Sequence, residues 1–372
     1  MMNIAIVCMG KHQLSPTYAI IMDVTSVLIT GYPKFSNFEY NVSEKILLLL
    51  KEIDFDKIKI STELLSVDEF GSNFTANKIK SGETFDVIIH LGFSSKSTKI
   101  RFEKYAYNEY KMTKSDNSGR CISNGKIIDN QKRRHQTNID FSPLNYEFEK
   151  EFHIEWSEDP GRYICNETYF NTLNAISKKS RNKDVKVLFV HLPSELILDI
   201  SKQIKIITRL IKCMTKPYVE VVGGVIFDEK NRILSCRRPK EKSWASWWEF
   251  PGGKIEFRET PQIALSRELK EELSLNVTPS KIITEQFFNY EDKYVKLILL
   301  NCGIIEEDRI KLLEHDEMKW LSKEELFDVN WLPADLPIVE KWFIEGIPNP
   351  HQYRLLGFLF YQTILLVHRL FS

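Results

Sequence analysis

From Gly253 to Leu275 the chain reads GKIEFRETPQIALSRELKEELSL, and no other stretch restricts its folding as much. Glu268, Glu271 and Glu272 stand at i, i+3 and i+4, so on a helix the three carboxylates share one face a turn apart. Like charges that close repel, and a divalent cation removes the conflict. Hard oxygen ligands of this kind suit Mg²⁺ or Mn²⁺ rather than zinc. The segment must therefore fold as a glycine loop leading into a helix whose acidic face meets an ion. A solvated acidic helix would need neither Gly253 nor Glu259 and Arg267 at their offsets.

This spacing resembles the Nudix box: Gly, five residues, Glu, seven residues, then REUXEEXGU with U aliphatic. Gly253, Glu259, Arg267, Glu268, Leu269, Glu271, Glu272 and Leu275 fill it in register, while Ser274 replaces the last glycine. Ser274 falls where the helix should end in a left-handed residue, a strain of about 1 kcal/mol. The resemblance implies a cation, Mg²⁺ or Mn²⁺, held by Glu268, Glu271, Glu272 and the Gly253 carbonyl. Glu259 and Arg267 would pair to hold the loop in shape. It implies hydrolysis of a nucleoside triphosphate to the monophosphate and pyrophosphate, with the metal activating water. The base stays open among the helix glutamates, with Glu271 and Glu268 foremost, and Glu314 or Glu317 of the EHDEMKWL segment.

The likeness covers about 217–345 and implies a MutT-type fold, a mixed sheet sandwiched by helices. GGVIFDEKNRILSCRRP at 223–239 reads as a hairpin turning at Glu229, Lys230 and Asn231. By resemblance Arg238 would hold a substrate phosphate, for which a planar guanidinium fork is suited. Phe250, in WWEFPGGKIE, is expected in the substrate pocket. WLPADLP at 331–337 resembles the segment lining the base pocket in MutT-like enzymes, with Asp335 facing the base. An ionised carboxylate only accepts hydrogen bonds. It would take the amino hydrogens of cytosine, or the ring and amino hydrogens of guanine. ADLP is closer to the members that hydrolyse CTP and modified pyrimidine triphosphates; oxidised purine nucleotides are the alternative. Phe287 or Phe288 could stack on the base, though core packing is the commoner explanation of such aromatics.

At 372 residues the chain exceeds the size at which one core keeps growing, so two domains are expected. Its 51 basic and 51 acidic residues balance, leaving no field with which to grip a nucleic-acid polymer. The six cysteines include no CxxC pair, and no cationic, apolar leader opens the chain, which reads as a reduced, cytoplasmic protein. The apolar run LLGFLFYQTILLV, Leu355 to Val367, would reach only ~20 Å as a helix against a hydrocarbon thickness of ~30 Å, so no membrane span is expected.

In the first two hundred residues SVLITGY (26–32), DVIIHLG (86–92) and KVLFVHL (186–192) read as buried parallel strands. Helical stretches at about 43–52, 165–179 and 194–213 complete an open α/β sheet with helices on both faces. The polar stretch 109–150, with Lys132, Arg133, Arg134 and His135, reads as a solvated loop rather than a nucleic-acid grip. Pro217 and the strand-rich pattern from Val219 place a boundary near residue 215. The expected division is 1–214, 217–345 and an apolar tail, 346–372.

Several short strings in 26–212 resemble, in order, those of pyroglutamyl peptidase, a cysteine peptidase family that removes N-terminal pyroglutamate. They are TGYPKF (30–35) for TGFxPF, Asn41 and Ser43 for NPS, FEKYAYN (102–108) for ERVAIN, PGRYICN (160–166) for AGxYxCN, and FVHLP (189–193) for FIHVP. The resemblance implies Cys165 as nucleophile, His191 as its base and Glu103 as the carboxylate orienting the imidazole. A thiol needs an adjacent imidazole and gains from a helix start, and the carboxylate stabilises the imidazolium. Tyr32 and Phe35 would wall a small lactam pocket, which makes a pyroglutamyl peptide or related amide the second substrate. Pro33 lies one place early, Val42 replaces the NPS proline and Pro160 an alanine, so the triad is compatible with another substrate, or with a domain that binds a ligand or partner without cutting. Oligomeric state is not read from the sequence.

Overall fold

The computed structural model describes residues 24–35, 41–178 and 185–353. The apolar run from Leu355 lies outside them. Compact units separate between Thr215 and Lys216.

In the first unit the elements are β1 (Thr25–Gly31), α1 (Val42–Leu50), β2 (Ile58–Leu64), α2 (Glu69–Ser81), β3 (Val87–Phe93), β4 (Ile100–Glu103), β5 (Tyr105–Tyr107), β6 (Arg134–Gln136), α3 (Phe141–Phe148), β7 (Ile154–Ser157), α4 (Ile164–Ser177), β8 (Lys186–Leu192) and α5 (Ile200–Thr215). The main sheet runs β2-β1-β3-β8-β4-β7. Its centre, β1, β3 and β8, is parallel as the aliphatic runs predict, and β4 enters antiparallel to β8. Leu28, Ile88, Val187 and Phe189 pack on Ala76 and Ile79 of α2 and on Tyr169, Phe170 and Leu173 of α4. The alternating residues Val27, Ile29, Ile89 and Leu188 are equally buried on the other face, where α1 and α5 pair. In α5 the buried Ile206, Ile207, Leu210, Ile211 and Met214 recur at helical spacing.

The stretch 109–150 is not a solvated loop. Residues 134–136 pair with β5, α3 follows, and Tyr110, Met112, Ile139 and Leu144 are buried. Its apolar residues are spaced singly among polar ones, so no period announces them. Side chains do what the pattern does not: Arg120 reaches the buried Glu167 of α4 at 2.7 Å and Asp116 at 2.9 Å.

The second unit contains β9 (Tyr218–Phe227), β10 (Ile233–Arg237), β11 (Trp248–Glu249), β12 (Gly252–Lys254), α6 (Pro261–Leu273), β13 (Ile282–Asn289), β14 (Tyr294–Ile304), β15 (Glu317–Leu321) and α7 (Leu336–Glu345). The sheet follows β11-β10-β9-β14-β13, with β12 also on β9 and β15 on β10. β9 and β10 form the expected hairpin, with Asn231 in the left-handed region (φ 60°) at its turn. Strand alternation splits the core in two. Val222, Ile226, Ile298 and Leu300 meet Ala264, Leu265, Leu269 and Leu273 of α6. Val225, Phe227, Leu297 and Leu299 meet Ile338, Val339 and Trp342 of α7. Each leucine buried this way contributes about 2 kcal/mol, which pins α6 and leaves its acidic side free for other work. Among the described residues no helix is long and apolar enough to cross a membrane.

Candidate active sites

In the first unit three elements deliver the predicted triad to one place. Cys165 stands in the first turn of α4, whose N-cap Tyr163 offers no side-chain hydrogen bond, so the helix start leaves its backbone N–H groups for the pocket. His191 lies near the carboxyl end of β8 and pairs in register with Gly92 of β3. At Gly92 a Cβ would stand 3.2 Å from Cys165 Sγ, so the strand passes directly under the thiol. Across the antiparallel β4–β8 pair Arg101 opposes His191, which puts Glu103 on the same face at the diagonal position. Glu103 is fully buried and its Oε1 lies 2.8 Å from His191 Nδ1. That leaves Nε2 for the thiol. Burial works against a charged His191, but hydrogen bonds to Cys165 and Glu103 outweigh it and lift its pKa to about 9. An imidazolium beside the Cys165 sulfur is thereby favoured.

Tyr32 and Phe35 line a cavity of about 270 Å³ that opens onto Cys165. Tyr32 donates to Thr168 Oγ1 at 2.7 Å; burial and then the neighbouring Cys165 hold its phenol protonated. Phe35 packs on Tyr163 with ring centroids 5.9 Å apart. Asn41 caps α1 by accepting from Ser43 N–H at 3.0 Å, and Ser43 Oγ in turn accepts from Tyr32 N–H. The residues matched to the family's NPS thus shape the pocket wall.

In the second unit Thr260 caps α6, Pro261 opens it and Ser274 closes it at φ 56°, as the box pattern requires. Gly252 and Gly253 cross beneath the helix. A Cβ on Gly252 would meet Val222 O at 2.1 Å, and one on Gly253 would meet the Glu268 carboxyl carbon at 2.4 Å. Arg267 braces this loop with Nε and Nη2 on the two Glu259 oxygens, both at 2.9 Å, and Nη2 on Lys254 O at 3.0 Å. These bonds draw the pKa of Glu259 down to about 2.

The three helix carboxylates share a face but point to different partners. Glu268 Oε1 and Glu271 Oε2 take hydrogen bonds from Arg267 Nη1 at 2.8 and 3.3 Å, while Glu272 Oε2 accepts from Gly252 N–H at 2.9 Å. Among the described residues no three His, Cys, Asp or Glu side chains converge as a metal-binding group. The donor set still fits a hard cation. Glu272 is buried, and desolvation, reinforced by Glu249 against the opposing His315, raises its pKa to about 7. A charge so poorly compensated, beside a backbone stripped of Cβ atoms, calls for a cation.

Other expectations shift. Glu314 is tied to Lys242 at 2.6 Å and Glu317 to Arg237 at 2.5 Å, both at the edge of β10. Glu249 and His315, which sequence reasoning missed, sit between Arg238 and Glu272. Glu249 Oε2 accepts from Arg238 Nη1 at 2.6 Å, and Oε1 lies 3.2 Å from His315 Nε2. A signal existed for Glu249: it alternates with Trp248 and Phe250, both buried in one core, so its side chain must face the other way. The Phe250 ring, expected in the substrate pocket, is buried and packs against Trp331 at 4.9 Å, while its N–H turns to Asp335 Oδ1 at 3.4 Å. Asp335 is buried, and desolvation, then Glu249, push its pKa well up. Burial therefore works against the ionised group expected from sequence. Phe287 packs among Tyr218 and Tyr294, whereas Phe288 packs on Tyr290, whose hydroxyl accepts from Ala334 N–H beside Asp335.

These two arrangements define a thiol hydrolase site and a glycine-loop carboxylate site on one chain. The profile described as a NUDIX domain matches residues 217–343, and that described as pyroglutamyl peptidase matches 25–209. The chain is 32% identical over 134 residues to a CTP pyrophosphohydrolase of Escherichia coli, covering 36% of this chain and 96% of that one. With an 8-oxo-dGTP diphosphatase of Proteus vulgaris it shares 37% identity over 84 residues, 23% of this chain and 75% of the relative. A pyrrolidone-carboxylate peptidase of Thermosipho melanesiensis is 30% identical over 170 residues, 45% of this chain and 82% of its own length. Among solved structures, pyrrolidone carboxyl peptidase of Fervidobacterium islandicum matches 50% of this chain and 97% of its own at 26% identity, with a TM-score of 0.46. The chain belongs to the pyroglutamyl peptidase family through its first unit and to the Nudix family through its second. It is a hydrolytic enzyme.

Proposed function

We propose that the second unit cleaves nucleoside triphosphates to monophosphate and pyrophosphate with Mg²⁺ or Mn²⁺, and that the first hydrolyses an amide, with N-terminal pyroglutamate as the reference substrate. The observation that carries the nucleotide reading is the close passage of Gly252 and Gly253 under Glu268 and the buried Glu272. Glu268, Glu271, Glu272 and the Gly253 carbonyl would hold the cation, with Glu268 and Glu271 leaving Arg267, which keeps Glu259. Bound there, a divalent cation would supply charge neutralisation for the phosphates and a water of lowered pKa. Glu271, the most exposed of the three, takes the proton. Arg238, oriented by Glu249, holds a phosphate.

Asp335 reads the base, and CTP or a modified pyrimidine triphosphate is the favoured substrate, in keeping with the similarity to a CTP pyrophosphohydrolase. A second reading is an oxidised guanine nucleotide, supported by the similarity to an 8-oxo-dGTP diphosphatase; the raised pKa of Asp335 bears on its ionisation under either reading. Pyrophosphate release from CTP, 5-substituted dCTP, dGTP and 8-oxo-dGTP with Mg²⁺ decides between them. Glu271→Gln should lower turnover about 10²- to 10³-fold. Absence of metal-dependent release from every nucleotide would reject the reading.

In the first unit the Cys165 thiolate attacks the amide carbonyl, and backbone N–H groups at the start of α4 receive the oxyanion. His191 gives its Nε2 proton to the leaving amine, and the C–N bond breaks to leave a thioester. Water then loses a proton to His191 and releases the acid. The five described cysteines are all free, as a reducing cytoplasm would keep them.

A further inference from the structure

The cavity beside Cys165 holds more positive charge than a neutral lactam requires. Its walls are aromatic, from Tyr32, Phe35 and Tyr163, and its two charged residues are Lys96 and Lys114. Among the described residues no carboxylate lines it and neither lysine has an ion-pair partner. Lys114 Nζ is placed over the opening, 4.5 Å from the ring centroid of Phe35 and 5.7 Å from that of Tyr163.

Both lysines ride on tied-down backbone. The loop bearing Lys114 is fastened by Asn117 N–H on Val67 O at 2.9 Å and by Tyr163 Oη on Ser115 O at 3.0 Å, so pocket residues themselves anchor it. Asp116 closes the same loop on Ser118 and Arg120. Lys96 follows β3 in a turn held by Ser94 N–H on Leu192 O at 2.9 Å and Ser97 N–H on Ser94 O at 3.1 Å. Two exposed lysines at one mouth concentrate like charge there, and the α4 start adds positive potential behind them. An anion relieves all three.

We infer that the amide cut at Cys165 carries a carboxylate on its acyl side, bound by Lys96 and Lys114: a dicarboxylic acid monoamide, the open-chain counterpart of the lactam. This rests on the amide-hydrolase reading of the first unit. The methylene chain lies along the aromatic wall formed by Phe35 and Tyr163 and the carboxylate reaches the lysines, while the far carbonyl meets the thiol. The chemistry balances with water alone: the C–N bond breaks, a C–S bond forms and is replaced by C–O, and the products are the dicarboxylic acid and the amine.

The full chain tests this with coumarin amides of glutaric acid, of its monomethyl ester and of pyroglutamate, and with alkylation of Cys165. The glutaryl amide should exceed both others at least tenfold in kcat/KM, and a Lys96→Gln, Lys114→Gln double variant should erase the gap between acid and ester. Independently of turnover, the ratio of iodoacetate to iodoacetamide rates at Cys165 should exceed that at the exposed Cys121 at least tenfold, and fall to the Cys121 value in the double variant. Equal ratios at the two cysteines, with the pyroglutamyl amide preferred, overturn the inference and leave the amide-hydrolase reading standing. No cleavage of any amide by a protein whose Cys165 alkylates selectively overturns both.

Discussion

His191 holds its proton more firmly than a free imidazole because two acceptors, the Cys165 sulfur and Glu103 Oε1, outweigh the burial that opposes charge. Replacing Glu103 with Gln keeps the shape and removes one of them. The His191 pKa should fall from about 9 toward 6.5, seen in the titration of its Cε1 proton by NMR, and amide turnover at neutral pH should drop at least tenfold. An unmoved titration would show that Glu103 only fills space. These three residues were legible in sequence because each sits in a short string at a strand end or helix start. Glu249 and His315 were not, since the first is brought to Glu272 by strand alternation and the second by the path of a loop. Asp335 stands in a legible string, WLPADLP, but the burial that raises its pKa is displayed by no local string.

At the level of elements, α6 shows how a reaction surface is set by packing on its far side. Ala264, Leu265, Leu269 and Leu273 fasten the helix to the sheet, and the remaining arc carries the carboxylates. Ser274 ends it in a left-handed conformation that glycine adopts without cost, so Ser274→Gly should raise stability by about 1 kcal/mol, read as a shift in the urea midpoint at constant m. A lower midpoint would mean that the serine side chain has a stabilising role. The hairpin, α6 and the central parallel strands were plain from their periods. The segment at 109–150 was not, because its order comes from Arg120, Asp116 and Glu167 meeting across some fifty positions of chain.

Over the whole molecule two separate cores carry two chemistries, and each should respond to its own conditions. Glu272 has a folded pKa near 7 against an ordinary 4.5, so the folded state binds its proton more tightly. Its contribution is complete below pH 4.5 and is lost as pH rises through 7, with a slope approaching about 1.4 kcal/mol per pH unit between them. In EDTA the second unit should therefore lose thermal stability from pH 5 to 7. Glu272→Gln should flatten that trend, and millimolar Mg²⁺ should restore stability at the higher pH through the ionised carboxylate. A wild-type profile already flat in EDTA would contradict this account of Glu272. Sequence alone determined the two families, the central strands, the box helix and the short strings that carry Cys165, His191 and Glu103, because those properties are local: short apolar periods and residue spacings along one element. Only the tertiary structure decided which carboxylates lose water, that Phe250 belongs to the core, and that Lys96 and Lys114 share a mouth with Cys165, because burial and long-range proximity exist only once distant segments have packed.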